Sequence, residues 1–261
     1  MLEMDYNVVG PNTDMVLAWS DFLASNFAKI SAMRRRAAEI HASVNQKYDE
    51  LPYSFHTNFV SMVFMQHGSV CFASRNAMVS DGLSAVFGAI FHDTIEDARL
   101  TYNDVKQIAS EFMGNAQAEL AADIVYALTN EKGKNRAERE NDKYFELIRQ
   151  TPYAPCIKVC DRYANAMYAG IRDTGMCRKY SREMADFLNR LVTEKREASS
   201  NIPWSLYMSL NSYPINMEVP VKKTGDMKED KEHTTLDDLK VLKELKRQME
   251  GEDNAPNPKR K

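Results

Sequence analysis

The sequence predicts an all-α fold, and three observations carry that expectation. Apolar side chains recur three or four residues apart through most of the first 197 residues, and alternating strand patterns are almost absent. Only ten glycines serve 261 residues, which suits helices joined by short loops. With 44% hydrophobic residues the chain can bury one sizeable core, so a single main domain is expected.

The first helix starts at Asn12 or Thr13, both good N-caps, because Val16, Trp19, Leu23, Phe27 and Ile30 then fall on one stripe. The pattern extends through "RRRAAEIHASVNQ" as far as "DELP", where Pro52 disfavours helix at the residue before it. Further helices are expected over residues 54–66, 79–97, 102–113, 116–128, 137–150, 155–172 and 179–197. Thr101 and Asp104 form a capping-box pattern for the helix at 102, with Asp in the place usual for Glu. After residue 197 three prolines and scattered aromatics predict an irregular arm lying on the domain, over 198–230. Residues 231–250 then read as an amphipathic helix, with Leu236, Leu239, Leu242, Leu245 and Met249 on one stripe. A lone helix cannot bury such a stripe, so docking on the domain or self-association through 234–249 is expected. Residues 251–261 are polar, contain proline and read as a disordered tail.

Charge excludes some partners. With 34 basic and 37 acidic residues the net charge is −3, so neither nucleic acid nor an anionic membrane is attracted by the chain as a whole. The apolar run "MVLAWSDFLA" is interrupted by Asp21, follows Glu3 and Asp5, and is too short to span a bilayer. Cys71, Cys156, Cys160 and Cys177 form no CxxC pair and read as core positions in a reducing setting. A cytoplasmic protein is the expectation.

The stretch "AIFHDTIEDARLT" sets His92, Asp93, Glu96 and Asp97 at the end of an apolar run. On one continuous helix Glu96 lies a turn beyond His92, and Asp97 a turn beyond Asp93. Such a row of acids repels itself unless a cation sits on it, and the imidazole adds a nitrogen donor suited to a transition metal. An HD dipeptide alone is a common surface pairing and needs no metal. Two other segments supply further donors: "LPYSFHTNF" contains His56, and "APCIKVCDRYANAMYA" contains Asp161 with Asn165 one turn later. An acid in that apolar segment is costly unless paired.

The series "PYSFH", "FHDTIEDARLT", "ALTNEKGKNRAER" and "IKVCDRYANAM", in this order, resembles the HD hydrolase domain of the RelA/SpoT family, including its small stand-alone members. The resemblance covers roughly residues 25–195. It implies an HD-domain helical bundle over 25–197, preceded by a helical extension over 1–24, and hydrolysis of the alarmone (p)ppGpp with one Mn²⁺ per chain. It further implies that His56, His92, Asp93 and Asp161 are metal ligands and that Glu96 and Asp97 are the catalytic acids. Lys47, Tyr53, Arg136 and Asn165 fall at positions that in the family touch the nucleotide, and the basic Lys134 and Arg139 could join them on the phosphates. Three departures concern the nucleotide pocket and the helix start. Thr57 follows His56 where proline is usual, Met167 stands where arginine is usual, and the glycine before "PY" is missing.

The leading expectation is therefore a (p)ppGpp 3'-pyrophosphohydrolase releasing GDP or GTP and pyrophosphate. Two alternatives stand beside it: an HD phosphohydrolase for another phosphorylated nucleotide, with another divalent transition metal as an option, and a non-catalytic HD regulatory module.

Overall fold

The structure, a computed structural model, describes residues 6–130, 134, 136–172, 175–194 and 197–213. All of these fall in the first of the two units into which the chain divides, Met1–Met217. The expected amphipathic helix at 231–250, its stripe and the tail at 251–261 lie outside the described residues. Within the described residues the fold is an all-α bundle, and the strands present are only two residues long.

Strand β1 (Val8–Val9) precedes α1 (Thr13–Ser25), whose N-cap Asn12 accepts hydrogen bonds from the Asp14 and Met15 amides. The first helix does not run on to "DELP". It stops at Asn26, whose Nδ2 donates to the Phe22 carbonyl at 2.8 Å and competes with helix continuation. Helix α2 (Phe27–Ser43) follows, then Asn45 with φ of 54° opens the tight hairpin of β2 (Lys47–Tyr48) and β3 (Leu51–Pro52). Trp19 on α1 is 2% exposed, packs against Phe64 and Phe72, and donates Nε1–H to the Met65 carbonyl at 2.7 Å. The segment before residue 25 thus shares the core of the bundle.

Helix α3 (Ser54–His67) runs into a 3-10 turn at Gly68–Cys71, and α4 (Arg75–Phe91) then crosses the centre of the molecule, buried at every residue from Gly82 to Phe91. A fully buried helix has no room for a polar stripe, and each Phe or Ile there contributes about 1.5–3 kcal/mol. Gly88 permits the closest approach, since a methyl at that position would collide with Ile124 and crowd Ile157. The expected single helix over 79–97 is broken at His92–Asp93, and a short α5 (Thr94–Ala98) continues it. The Thr94 hydroxyl donates to the Phe91 carbonyl at 2.7 Å and closes the break.

Helix α6 (Tyr102–Ser110) carries the expected capping box of Thr101 and Asp104, and α7 (Asn115–Leu128) packs on both α6 and α4. The helix expected over 137–150 is divided into α8 (Arg136–Arg139) and α9 (Asp142–Gln150), because Asn141 accepts from the Tyr144 amide and caps a new start. Helix α10 (Ala154–Ile171), buried at every residue from Ala154 to Arg162, lies against α3, and α11 (Gly175–Leu191) packs on it.

The expected irregular arm is corrected over its described part. Strand β4 (Ile202–Pro203) pairs in parallel with β1, and Pro203 caps helix α12 (Trp204–Asn211), which buries Leu206 and Leu210. Proline is compatible with a helix start, so its presence did not forbid one. No helix among the described residues is long and apolar enough to cross a membrane.

Candidate metal centre

Four elements converge on one buried point. Helix α3 brings His56 on its first turn, the α4–α5 break brings His92 and Asp93, and α10 brings Asp161. The two imidazoles are 2% exposed and Asp161 is 9% exposed. His92 caps the end of α4 and Asp93 the start of α5, and there His92 Nε2 and Asp93 Oδ2 lie 2.9 Å apart.

The donor atoms form a tight set. His56 Nε2 lies 3.2 Å from His92 Nε2 and 3.3 Å from Asp93 Oδ2. Asp161 Oδ1 lies 3.4 Å from His56 Nε2 and 3.8 Å from His92 Nε2. His56, His92 and Asp93 alone place one donor atom each within 4.8 Å of the others. Ligands held about 2.1 Å from a common ion stand roughly 3.0–3.4 Å apart, so the separations among His56, His92 and Asp93 are close to such edges, whereas Asp161 stands farther out, outside the group of mutually close donors. His92 Nδ1 is 3.0 Å from the Ala89 carbonyl, which assigns the proton to Nδ1 and leaves the Nε2 lone pair facing the cluster. Two imidazoles with two carboxylates beside them are a donor set that fits a divalent transition metal.

The imidazoles and carboxylates of the cluster hold one another's charges. Burial opposes charge on His56, but its hydrogen bonds to Asp161 and Asp93 outweigh that and raise its pKa to about 9. Burial likewise favours the neutral acids, yet the His92 charge and the two imidazole contacts hold Asp93 well below the usual carboxylate range. For Asp161 the pull comes first from Lys158 and then from the imidazoles. Either an imidazolium proton or a metal ion satisfies this set.

The surrounding residues separate into those that touch the cluster and those that do not. Tyr53, expected to meet substrate, is buried and donates its hydroxyl to Asp93 Oδ2 at 2.6 Å. Asn165, expected likewise, has both ends of its amide engaged: Nδ2 donates to Asp161 Oδ1 at 2.6 Å, and Oδ1 accepts from the Tyr48 hydroxyl at 2.8 Å. Asp97 keeps its place one turn beyond Asp93, its backbone N–H donating a hydrogen bond to the Asp93 carbonyl at 2.8 Å. Burial and then the Asp93 charge push the Asp97 carboxyl up to about 6. Glu96 turns away to the segment after α7, accepting from Asn130 Nδ2 at 2.7 Å and lying 3.6 Å from Arg139. Arg139, expected on the phosphates, is thus placed against a catalytic candidate. Lys47 is exposed on the hairpin, beside a cavity of about 340 Å³ that Tyr53 also lines. The backbone of Arg136 starts α8, while its side chain lies outside the described residues.

Sequence reasoning passed over Tyr48 and Lys158. The Tyr48 ring stacks on His56 with centroids 4.7 Å apart, and Lys158 Nζ lies 3.0 Å from Asp161 Oδ2. The one available signal was a lysine three residues before an aspartate inside the apolar "PCIKVCD". Next to the centre, a second cavity of about 310 Å³ is lined by Tyr48, Asn165, Tyr168, Met176 and Tyr180.

Compared with known proteins, the chain matches no family model, no curated protein and no solved structure. The functional reading therefore rests on the residues and their geometry.

Proposed function

We propose that this protein is a metal-dependent phosphohydrolase of the HD type, acting in the cytoplasm on the 3'-pyrophosphate of (p)ppGpp and releasing GDP or GTP with pyrophosphate. The observation that carries the reading is the cluster of His56, His92 and Asp93 donor atoms at 2.9–3.3 Å, with Asp161 Oδ1 at 3.4 and 3.8 Å from the two imidazoles and two further acids nearby. A bound Mn²⁺ would supply Lewis acidity toward a phosphoryl oxygen and a lowered pKa for water. The chain's own groups do the rest. Asp97, on the turn beside Asp93, orients the attacking water and takes its proton, and Glu96, drawn toward Asn130 and Arg139, is the lesser of the two catalytic acids. Tyr53 fixes the Asp93 carboxylate. Aromatic faces at the 310 Å³ cavity offer a stacking surface for a nucleobase within reach of the cluster.

One observation favours the second reading, hydrolysis of a different phosphorylated nucleotide. The Asn165 amide, assigned by resemblance to the nucleotide, is already occupied by Asp161 and Tyr48. Incubation of purified protein and Mn²⁺ with a nucleotide panel, followed by ion-exchange chromatography, tests both. Pyrophosphate release from ppGpp, with GTP and cyclic nucleotides left intact, is the expected result. Stable ppGpp alongside turnover of another nucleotide would replace the substrate and keep the chemistry.

A further inference from the structure

We propose that Lys158 is a positioning residue that sets how Asp161 faces the metal centre, an inference that rests on the metal reading above. Lys158 lies between Ile157 and Val159, both wholly buried, on the apolar face of α10, and is itself only 7% exposed. A lysine ammonium is strongly hydrated in water, so enclosing it is costly unless a counter-charge is supplied. The carboxylate of Asp161 supplies it, with Nζ 3.0 Å from Oδ2. The ammonium also stands over the Tyr144 ring at 5.6 Å, and the Tyr144 hydroxyl is held by the Leu128 carbonyl at 3.0 Å. Both sides of the lysine are thereby fixed.

The two oxygens of Asp161 are divided between different tasks. Oδ2 belongs to Lys158, while Oδ1 accepts from Asn165 at 2.6 Å and faces His56 and His92 at 3.4 and 3.8 Å. Without the ammonium, only the Asn165 bond to Oδ1 would restrain the carboxylate, and Oδ2 could also turn toward the centre. With it, Asp161 is delivered as a single-oxygen donor through Oδ1. Outer partners of this kind orient ligands, and their loss typically costs about 10–100-fold in metal affinity or activity.

The test is a double-mutant cycle read on Mn²⁺ affinity of the full chain, by titration calorimetry or Mn²⁺ paramagnetic resonance. Lys158→Met is expected to weaken Mn²⁺ binding by about 10–100-fold, and to add little further loss to Asp161→Asn, because it acts through that carboxylate. Lys158→Gln, which can still donate a hydrogen bond, is expected to retain part of the affinity, and it carries the same cycle if the methionine variant does not fold. Unchanged or tighter binding in a folded Lys158 variant would overturn the proposal, as would an equal loss in the Asp161→Asn background. A wild-type chain that binds no Mn²⁺ would overturn the metal reading and this inference together. Wild-type binding with an indifferent Lys158 would overturn only the inference.

Discussion

The Tyr53 hydroxyl donates to Asp93 Oδ2 at 2.6 Å, so a residue that the sequence offered as a substrate contact instead holds a metal-ligand candidate. Tyr53→Phe keeps the ring that packs on His41, with centroids 4.5 Å apart, and removes only the hydroxyl. If the phenol orients Asp93, kcat with Mn²⁺ should fall by about 10–100-fold with KM little changed. Steady-state kinetics separate the two roles, since a rise in KM alone would return Tyr53 to the substrate.

Glu96 and Asp97 should not respond alike. Asp97 is half-buried beside Asp93, whereas Glu96 is exposed and tied to Asn130 and Arg139. Asp97→Asn is expected to lower kcat by about 10²–10⁴ while leaving metal content unchanged, as for loss of an acid–base group. Glu96→Gln should cost less, because an amide can still accept from Asn130. Metal analysis of both variants checks the assignment: an Asp97→Asn protein that has lost its metal would make Asp97 a ligand.

The candidate ligands were reached in the sequence by two routes: His92 and Asp93 are adjacent at the end of an apolar run, and the resemblance of the flanking segments implied His56 and Asp161. Tyr48 acquires meaning only through Asn165, far along the chain, and Lys158, although three residues from Asp161, only through its burial. The α4–α5 break was hidden as well. Apolar periodicity runs through it, and only the side-chain bonds of Thr94 and His92 to the preceding carbonyls reveal the stop. Helix α12 escaped notice because Pro203 and the aromatics around it resemble a loop until β4 pairs with β1. The stripe from Leu236 to Met249 lies outside the described residues.

Metal should also stabilise the fold. An ion that binds the native chain at a concentration of 100 times its Kd adds about 2.7 kcal/mol. Here the added stability has a specific source, the half-buried Asp93 and buried Asp161 carboxylates that face two imidazoles. Mn²⁺ should therefore raise Tm relative to chelator-treated protein, and His92→Ala should abolish the rise. A Tm indifferent to Mn²⁺ and chelator would contradict a buried four-ligand site.

Trp19 tests whether the first helix is integral. It stacks on Phe22 with centroids 5.4 Å apart, meets Phe64 edge-on at 6.0 Å, and its indole N–H is satisfied by the Met65 carbonyl. Trp19→Ala leaves a cavity and an unpaired carbonyl, and should cost about 3–5 kcal/mol in urea unfolding followed by circular dichroism. A loss below about 1 kcal/mol would mean that α1 is an appendage rather than part of the core.

His41 gives the protein a pH dependence with a definite sign. Its ring is 1% exposed, and neither nitrogen has a hydrogen-bond partner. Burial pushes its pKa down to about 4, with Asp93 opposing and the His92 and His56 charges assisting. The folded chain therefore keeps His41 neutral where the unfolded chain, at about 6.5, takes up a proton. The associated stability is fully present above pH 6.5 and is lost as pH falls toward 4. Between pH 7 and 5 the loss is about 2 kcal/mol. His41→Phe fills a similar volume and cannot charge, so in chelator the wild-type chain should lose about that much stability relative to the variant on passing from pH 7 to 5. Urea denaturation of both proteins at the two pH values measures it directly. A difference between them that stays constant with pH would show that the folded protein accommodates a charged His41, and that this ring is not the buried neutral group its surroundings require.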